Sequence, residues 1–207
     1  MIFGIIDYNA GNLRNVQKAF QEFNVETIIV NSPNELTNLD AYILPGVGSF
    51  FSGMSSLINL KLDQVIRNEV LTNKKPILGI CLGMHLFAKN GDEGGKIEGL
   101  DLVNMQVKKI NLKNSGDRLP HVGWNSINII NDEILYKDIP NNADFYFAHS
   151  YVLESENKNL IASTTDYIHP FISSISSSNI FATQFHPEKS QKYGKTLIKN
   201  FINFCSS

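Results

Sequence analysis

Lys75 to Phe87 reads KPILGICLGMHLF, and its reading decides the fold. Ile77, Leu78 and Ile80 form an apolar run short enough for a buried strand. Gly79 and Gly83 flank Cys81, and Met84, Leu86 and Phe87 then resume at helical spacing. A strand that passes into a helix at a glycine-flanked residue suggests an open α/β sheet. In such sheets, sites form at the carboxyl ends of the strands.

The same rhythm runs outward from this segment. Ile2 to Ile6 reads as a buried strand, followed by the polar loop Asp7 to Asn12. Val16, Ala19, Phe20 and Phe23 then recur at helical spacing. Thr27 to Val30 and Ala41 to Leu44 are two more strands, the latter stopped by Pro45-Gly46. Leu62 to Leu71 is helical, and Ile77 to Ile80 is the fourth strand. Strand–helix alternation of this kind predicts a mostly parallel sheet covered by helices on both faces.

The second half is different. Leu102 to Ile110, Ser126 to Ile130, Phe145 to Ala148, Tyr151 to Leu153, Leu160 to Thr164 and Ile180 to Phe185 are short and strand-like. They predict added, partly antiparallel pieces. Ser173 to Ser178 reads as a serine-rich turn, and Gln191 to Phe204 as a closing helix. With 207 residues and no repeat or linker, the expectation is one α/β domain over 1–207.

Bulk properties exclude several function classes. The 18 basic and 20 acidic residues nearly cancel, which gives no electrostatic reason for a nucleic-acid or anionic-membrane partner. Lys192, Lys195 and Lys199 share a helical face and read as solvated. Residues 41–60 carry no charge, but Pro45, three glycines and four serines argue against a membrane span. Cys81 and Cys205 make no disulfide framework, and no basic lead precedes the first apolar run. A reducing, cytoplasmic location is therefore expected. With no C-x-x-C, H-E-x-x-H or Walker loop, neither a metal nor a cofactor is expected.

The segment Gly79-Ile80-Cys81-Leu82-Gly83 has the form of a nucleophile elbow with cysteine as the nucleophile. A helix N-terminus behind the sulfur favours thiolate, and the Leu82 N–H would face an oxyanion formed beside it. The stretch alone fits an ordinary core cysteine equally well. A nucleophile also needs a base, and the base needs an orienter. Of His85, His121, His149, His169 and His186, the last ends an apolar run and stands two residues before Glu188. In an extended segment that spacing puts both side chains on one side. A surface His and Glu would fit His-Pro-Glu alone, but a glycine-flanked cysteine at another strand end favours a triad. Gly46-Val47-Gly48, directly after the third strand, could present further amides to the elbow, or it could be a plain turn.

Gly79 to Met84 together with Gln184-Phe185-His186-Pro187-Glu188-Lys189-Ser190 resembles the class I glutamine amidotransferases. Asp7 to Leu13, Leu44 to Phe50, Pro120 to Asn125 and Phe147 to Tyr151 narrow the resemblance to the glutaminase subunits of imidazole glycerol phosphate synthase. The match runs from Ile2 to Phe204. By that resemblance, Cys81 attacks the side-chain amide of glutamine, His186 transfers protons and Glu188 orients His186. Val47, Gly48 and Leu82 would form the oxyanion hole. Gly46, His85, His149, Ser150 and Tyr151 would bind substrate, and Asn12, Trp124 and Lys189 would face a partner. The implied partner is a cyclase with a (β/α)₈ barrel, forming a heterodimer.

Two positions depart from the family pattern. His85 stands where glutamine is usual, and Ile168 stands where glycine is usual. An ordinary imidazole at position 85 would make substrate affinity depend on pH near neutrality. These departures keep a paralogous glutaminase for another synthase in view, such as one that modifies surface sugars. A catalytically silent scaffold and a flavodoxin-like binding module are the other classes considered.

Overall fold

A computed structural model describes residues 1–131, 134–155 and 157–207. Its central sheet starts with β1 (Ile2–Ile6), α1 (Leu13–Gln21), β2 (Glu26–Val30), β3 (Ala41–Gly46), α2 (Phe50–Asn59) and α3 (Leu62–Arg67). Asn68–Thr72 extends α3 as a π-helical turn, so the expected single helix changes pitch near its end. β4 (Ile77–Cys81) and α4 (Leu82–Leu86) complete the elbow.

The second half supplies β5 (Asn90–Gly91), β6 (Ile97–Glu98), β7 (Gln106–Lys109), β8 (His121–Ser126), β9 (Asn128–Ile129), β10 (Asp144–His149) and β11 (Tyr151–Glu154). β12 (Ile161–Asp166), β13 (Pro170–Ser177), β14 (Ile180–Thr183) and α5 (Gln191–Cys205) follow. The main sheet runs β2-β1-β3-β4-β14-β13-β12-β9. Its first five strands are parallel and the remainder antiparallel. Two small sheets, β10-β8 and β11-β7-β5-β6, flank it. The alternation therefore produced the mostly parallel sheet and the added antiparallel strands that it predicted.

Four local expectations are corrected. β3 does not stop before Pro45 but runs through Gly46, with Pro45 opposite Ile80 and Gly46 opposite Cys81. Pairing of β3 with β1 has ended by Ile43, so the missing proline N–H breaks no ladder bond on that side. Ser173 to Ser177 are not a turn but the larger part of β13. Ser173 and Ser174 are buried, and their hydroxyls bond to Ser163 at 2.8 and 2.7 Å. The expected strand 126–130 divides between β8, in a side sheet, and β9, at the edge of the main sheet. Of the expected strand 102–110 only β7 forms.

Apolar residues fill both faces of the main sheet. On one side Val16, Phe20, Phe181 and Phe201 pack with β1 and β4, and on the other Met54, Leu57, Ile66 and Val70 do so. The carboxyl ends of β3, β4 and β14 thus meet at one edge of a rigid layer, with Gly46, Cys81 and Thr183 nearly level.

Candidate active site

Cys81 is the last residue of β4 and lies immediately before α4. Its backbone has φ 55° and ψ −106°, a conformation that costs a non-glycine residue energy and persists only where its surroundings impose it. The flanking glycines permit the close packing around it. A Cβ on Gly83 would overlap the Leu44 carbonyl, and one on Gly79 would lie 2.8 Å from the Phe87 ring. α4 thus packs closely on β3 and β4 around the turn at Cys81. Sγ is 3.9 Å from the Ala148 carbonyl on β10, and the residue is 5% exposed.

His186 follows the end of β14 and starts the turn Pro187–Lys189. Its amide donates to the Tyr146 carbonyl at 2.9 Å. The Ser190 hydroxyl donates to the His186 carbonyl at 2.6 Å and accepts from the Tyr146 amide at 3.0 Å. The Ser190 hydroxyl thereby ties β10 to the histidine, a role that no local motif signals. Nδ1 of His186 lies 2.8 Å from the Glu188 carboxylate, and both side chains are almost fully buried. Nε2 has no hydrogen-bond partner among the described residues. Burial opposes protonation of this ring, but the adjacent Cys81 sulfur and then Glu188 outweigh it, holding its pKa well above the ordinary histidine value. The three residues expected to form a triad are therefore gathered at one point, with the free ring nitrogen on the cysteine side.

A cleft of about 250 Å³ opens over Cys81. It is lined by Val47, Gly48, Leu82, His85, Ser150 and Tyr151, with His149, Ala148, Pro120 and Glu93 around them. That volume is at the small end for ligand sites, which run to roughly 1,000 Å³, and suits a single amino acid better than a nucleotide. Leu82 opens α4, so its amide has no acceptor within the helix. Val47 and Gly48 form an exposed turn with Gly48 at φ 116°. Gly46 does not line the cleft but is buried behind it. Glu93 was missed by the sequence reading. It lies in the turn between β5 and β6 with no motif around it, and only the fold brings it over the α2 N-terminus, where the Phe50 amide donates to its carboxylate at 3.1 Å. Burial raises its pKa.

His85 and His149 reach the cleft wall but are almost fully buried, and contacts within the protein occupy their rings. Nε2 of His85 is 2.8 Å from the Gln184 side chain. In His149, Nδ1 is 2.9 Å from the Tyr151 carbonyl and Nε2 is 3.0 Å from Nδ1 of His121, whose Nε2 meets the Asn125 amide at 3.3 Å. One assignment satisfies all three contacts. Asn125 donates to His121, His121 to His149, and His149 to the carbonyl. Both ring nitrogens of His149 are thus committed, and the ring fixes the backbone of the Ser150–Tyr151 corner. Burial pushes His85 and His121 down to about 4 and His149 to about 3.

The residues expected to face a partner surround this edge. Trp124 is 48% exposed, which excludes a core role. It meets Tyr146 edge to face, and Nζ of Lys189 lies 5.5 Å from the Tyr146 ring centre. Asn12 is exposed and caps α1 through the Asn15 amide at 3.3 Å. Among the described residues no group of three metal-ligating side chains occurs, and no helix is long and apolar enough to cross a membrane. Lys192, Lys195 and Lys199 are exposed on α5, with Lys195 2.6 Å from Glu22.

Comparison with known proteins identifies the family. The family model for glutamine amidotransferase class-I matches residues 4–204. The chain is 43% identical over 205 residues to imidazole glycerol phosphate synthase subunit HisH 1 of Campylobacter jejuni strain RM1221, covering 97% of this chain and 99% of that one. It is likewise 43% identical over 201 residues to the HisH subunit of Methanocaldococcus jannaschii, covering 97% and 98%. Among solved structures, a glutamine amidotransferase superposes with a TM-score of 0.77 at 16% identity over the full length of both chains. PurLQS from Thermotoga maritima gives 0.74 at 18% identity over 98% of each, so the fold persists where the sequence has diverged. The chain belongs to the class-I glutamine amidotransferases and, within them, to the HisH subunits of imidazole glycerol phosphate synthase.

Proposed function

We propose that this chain hydrolyses glutamine to glutamate and ammonia at Cys81 and delivers the ammonia to a cyclase subunit with a (β/α)₈ barrel. The observation that carries the reading is the His186 ring, fixed by Glu188 through Nδ1 while Nε2 is left unpartnered beside the Cys81 sulfur. The sulfur attacks the side-chain amide carbon. The resulting oxyanion is met by the Leu82 amide and an amide of the Val47–Gly48 turn. Protonated His186 gives its proton to the departing nitrogen, and ammonia leaves a thioester on Cys81. His186 then takes a proton from water, which attacks the thioester and releases glutamate. Glu188 holds the ring in the orientation that both steps need.

The substrate's charged end has matching groups. Glu93 at the cleft rim supplies a carboxylate for the α-ammonium group, and the Ser150–Tyr151 corner supplies polar groups for the α-carboxylate. His85 and His149 act behind them as supports. Residues 1–207 work as one glutaminase unit.

The relatives are named as subunits of a synthase, so a partner is implied for this chain too. With that cyclase, the products would be imidazole glycerol phosphate and an aminoimidazole carboxamide ribonucleotide, in histidine biosynthesis. One observation favours a variant of the reading in which the ammonia feeds a different synthase: His85 departs from the usual family residue.

The test is glutamate release with and without the cyclase. Gly48 gives the oxyanion turn freedom to rotate, so the isolated chain should be slow. Docking should accelerate it by roughly 10²–10³, the worth of one oxyanion donor. Equal turnover in both states contradicts the coupling, and no turnover in either contradicts the activity.

A further inference from the structure

Tyr8 follows β1 and is fully buried, yet its hydroxyl has no hydrogen-bond partner among the described residues. An unpaired buried hydroxyl destabilises a fold, so a phenylalanine would be the more stable filler here. The position of the hydroxyl is specific. A Cβ on Gly46 would overlap the phenolic oxygen, which therefore rests against the Gly46 backbone. Gly46 ends β3 opposite Cys81, and the Gly46–Val47 peptide opens the turn over the cleft.

The two sides of this contact differ in freedom. The Tyr8 ring is packed in the core, and its carbonyl accepts from the Ser56 hydroxyl. The turn is exposed, its glycine has nothing within 4 Å of where a side chain would stand, and neither the Val47 nor the Gly48 amide donates a hydrogen bond among the described residues. A fixed donor without an acceptor thus lies beneath the last peptide of β3, where the ladder ends and the exposed turn begins.

We propose that the Tyr8 hydroxyl is a positioning donor for the oxyanion turn. When the Gly46–Val47 peptide rotates on activation, its carbonyl accepts the phenolic O–H. A peptide is planar, so holding its carbonyl fixes the direction of the Val47 N–H beside Cys81. No proton is transferred. Burial, and then the charge of Cys81, push the phenol pKa far above its ordinary value, so the group remains a donor at any working pH. This proposal rests on the glutaminase reading of Cys81.

Tyr8→Phe tests it, with glutamate release measured on the cyclase-bound enzyme and thermal unfolding measured on the same preparations without cyclase. The expected result is a kcat lowered about tenfold, the scale of one hydrogen bond, a KM for glutamine within twofold, and an unfolding midpoint equal to or above that of the parent. A kcat within twofold of the parent overturns the proposal. So does a lower midpoint together with a lower kcat, because the hydroxyl would then already support the resting fold. If the parent itself releases no glutamate with cyclase bound, the reading of Cys81 fails first and the proposal falls with it.

Discussion

His85 is a neutral imidazole at working pH. Burial pushes its pKa down to about 4, and its contacts with Gln184 and the Tyr151 backbone only partly oppose this. The pH-dependent substrate affinity that an ordinary imidazole would bring is therefore not expected. KM for glutamine, measured from pH 6 to 8 with the cyclase bound, should be flat in the parent and in His85→Gln. A KM that rises below pH 7 in the parent alone would contradict this. The buried histidines act on stability instead. The unfolded chain protonates them near pH 6.5, whereas the fold does so only at about 4 for His85 and about 3 for His149. Between those limits the unfolded state holds more protons, so stability falls as pH falls, by up to about 1.4 kcal/mol per pH unit for each ring. His186 has the opposite sign. Its folded pKa is raised, so its contribution is complete below pH 6.5 and is lost only as pH rises through the raised value. It adds no acid slope. Urea midpoints recorded from pH 6.5 to 4.5 should fall more gently in His85→Gln than in the parent.

At the scale of elements, the β4–α4 elbow depends on how closely the helix sits on the sheet. Gly83→Ala would drive a methyl into the Leu44 carbonyl, and overpacking of this kind costs about 1–3 kcal/mol. Gly116→Ala is the control, since nothing lies within 4 Å of the methyl it would add. A urea midpoint lowered in the first and unchanged in the second is expected. Equal midpoints would show that the glycine is not required by packing. The elbow was legible in the sequence because strand, turn and helix follow each other without a break. β13 was hidden because serines read as turn formers, while here the Ser163 and Tyr136 hydroxyls satisfy them inside the sheet. α2 went unread because its residues carry no charge to mark an outer face. Its signals were the Ser49 cap and the spacing of Phe50, Met54 and Leu57. Cys81, His186 and Glu188 were legible through glycines, a proline and a two-residue spacing. Glu93 and Ser190 were not, because their places at the site come from contacts across the fold.

At the scale of the whole molecule, the cleft and the exposed aromatic patch share the carboxyl edge of the sheet. Trp124 is half exposed, while the Tyr146 ring against it is 6.4 Å from the His186 ring. A partner seated on Trp124 would thus reach the neighbourhood of the site through a single side chain. Trp124→Ala should leave the unfolding midpoint of the isolated chain within a degree or so of the parent and weaken cyclase binding by roughly 30-fold, the cost of a buried aromatic anchor. Unchanged affinity would move the interface elsewhere.

The central claim is that Cys81 is the nucleophile of a glutaminase that works with a cyclase. Its most direct test is glutamate release by the complex formed with Cys81→Ser. The exchange is nearly isosteric, so cyclase affinity should match the parent, while turnover should drop by about 10⁴-fold or more. A serine variant that binds the cyclase normally and keeps a tenth of the parent activity would contradict the account.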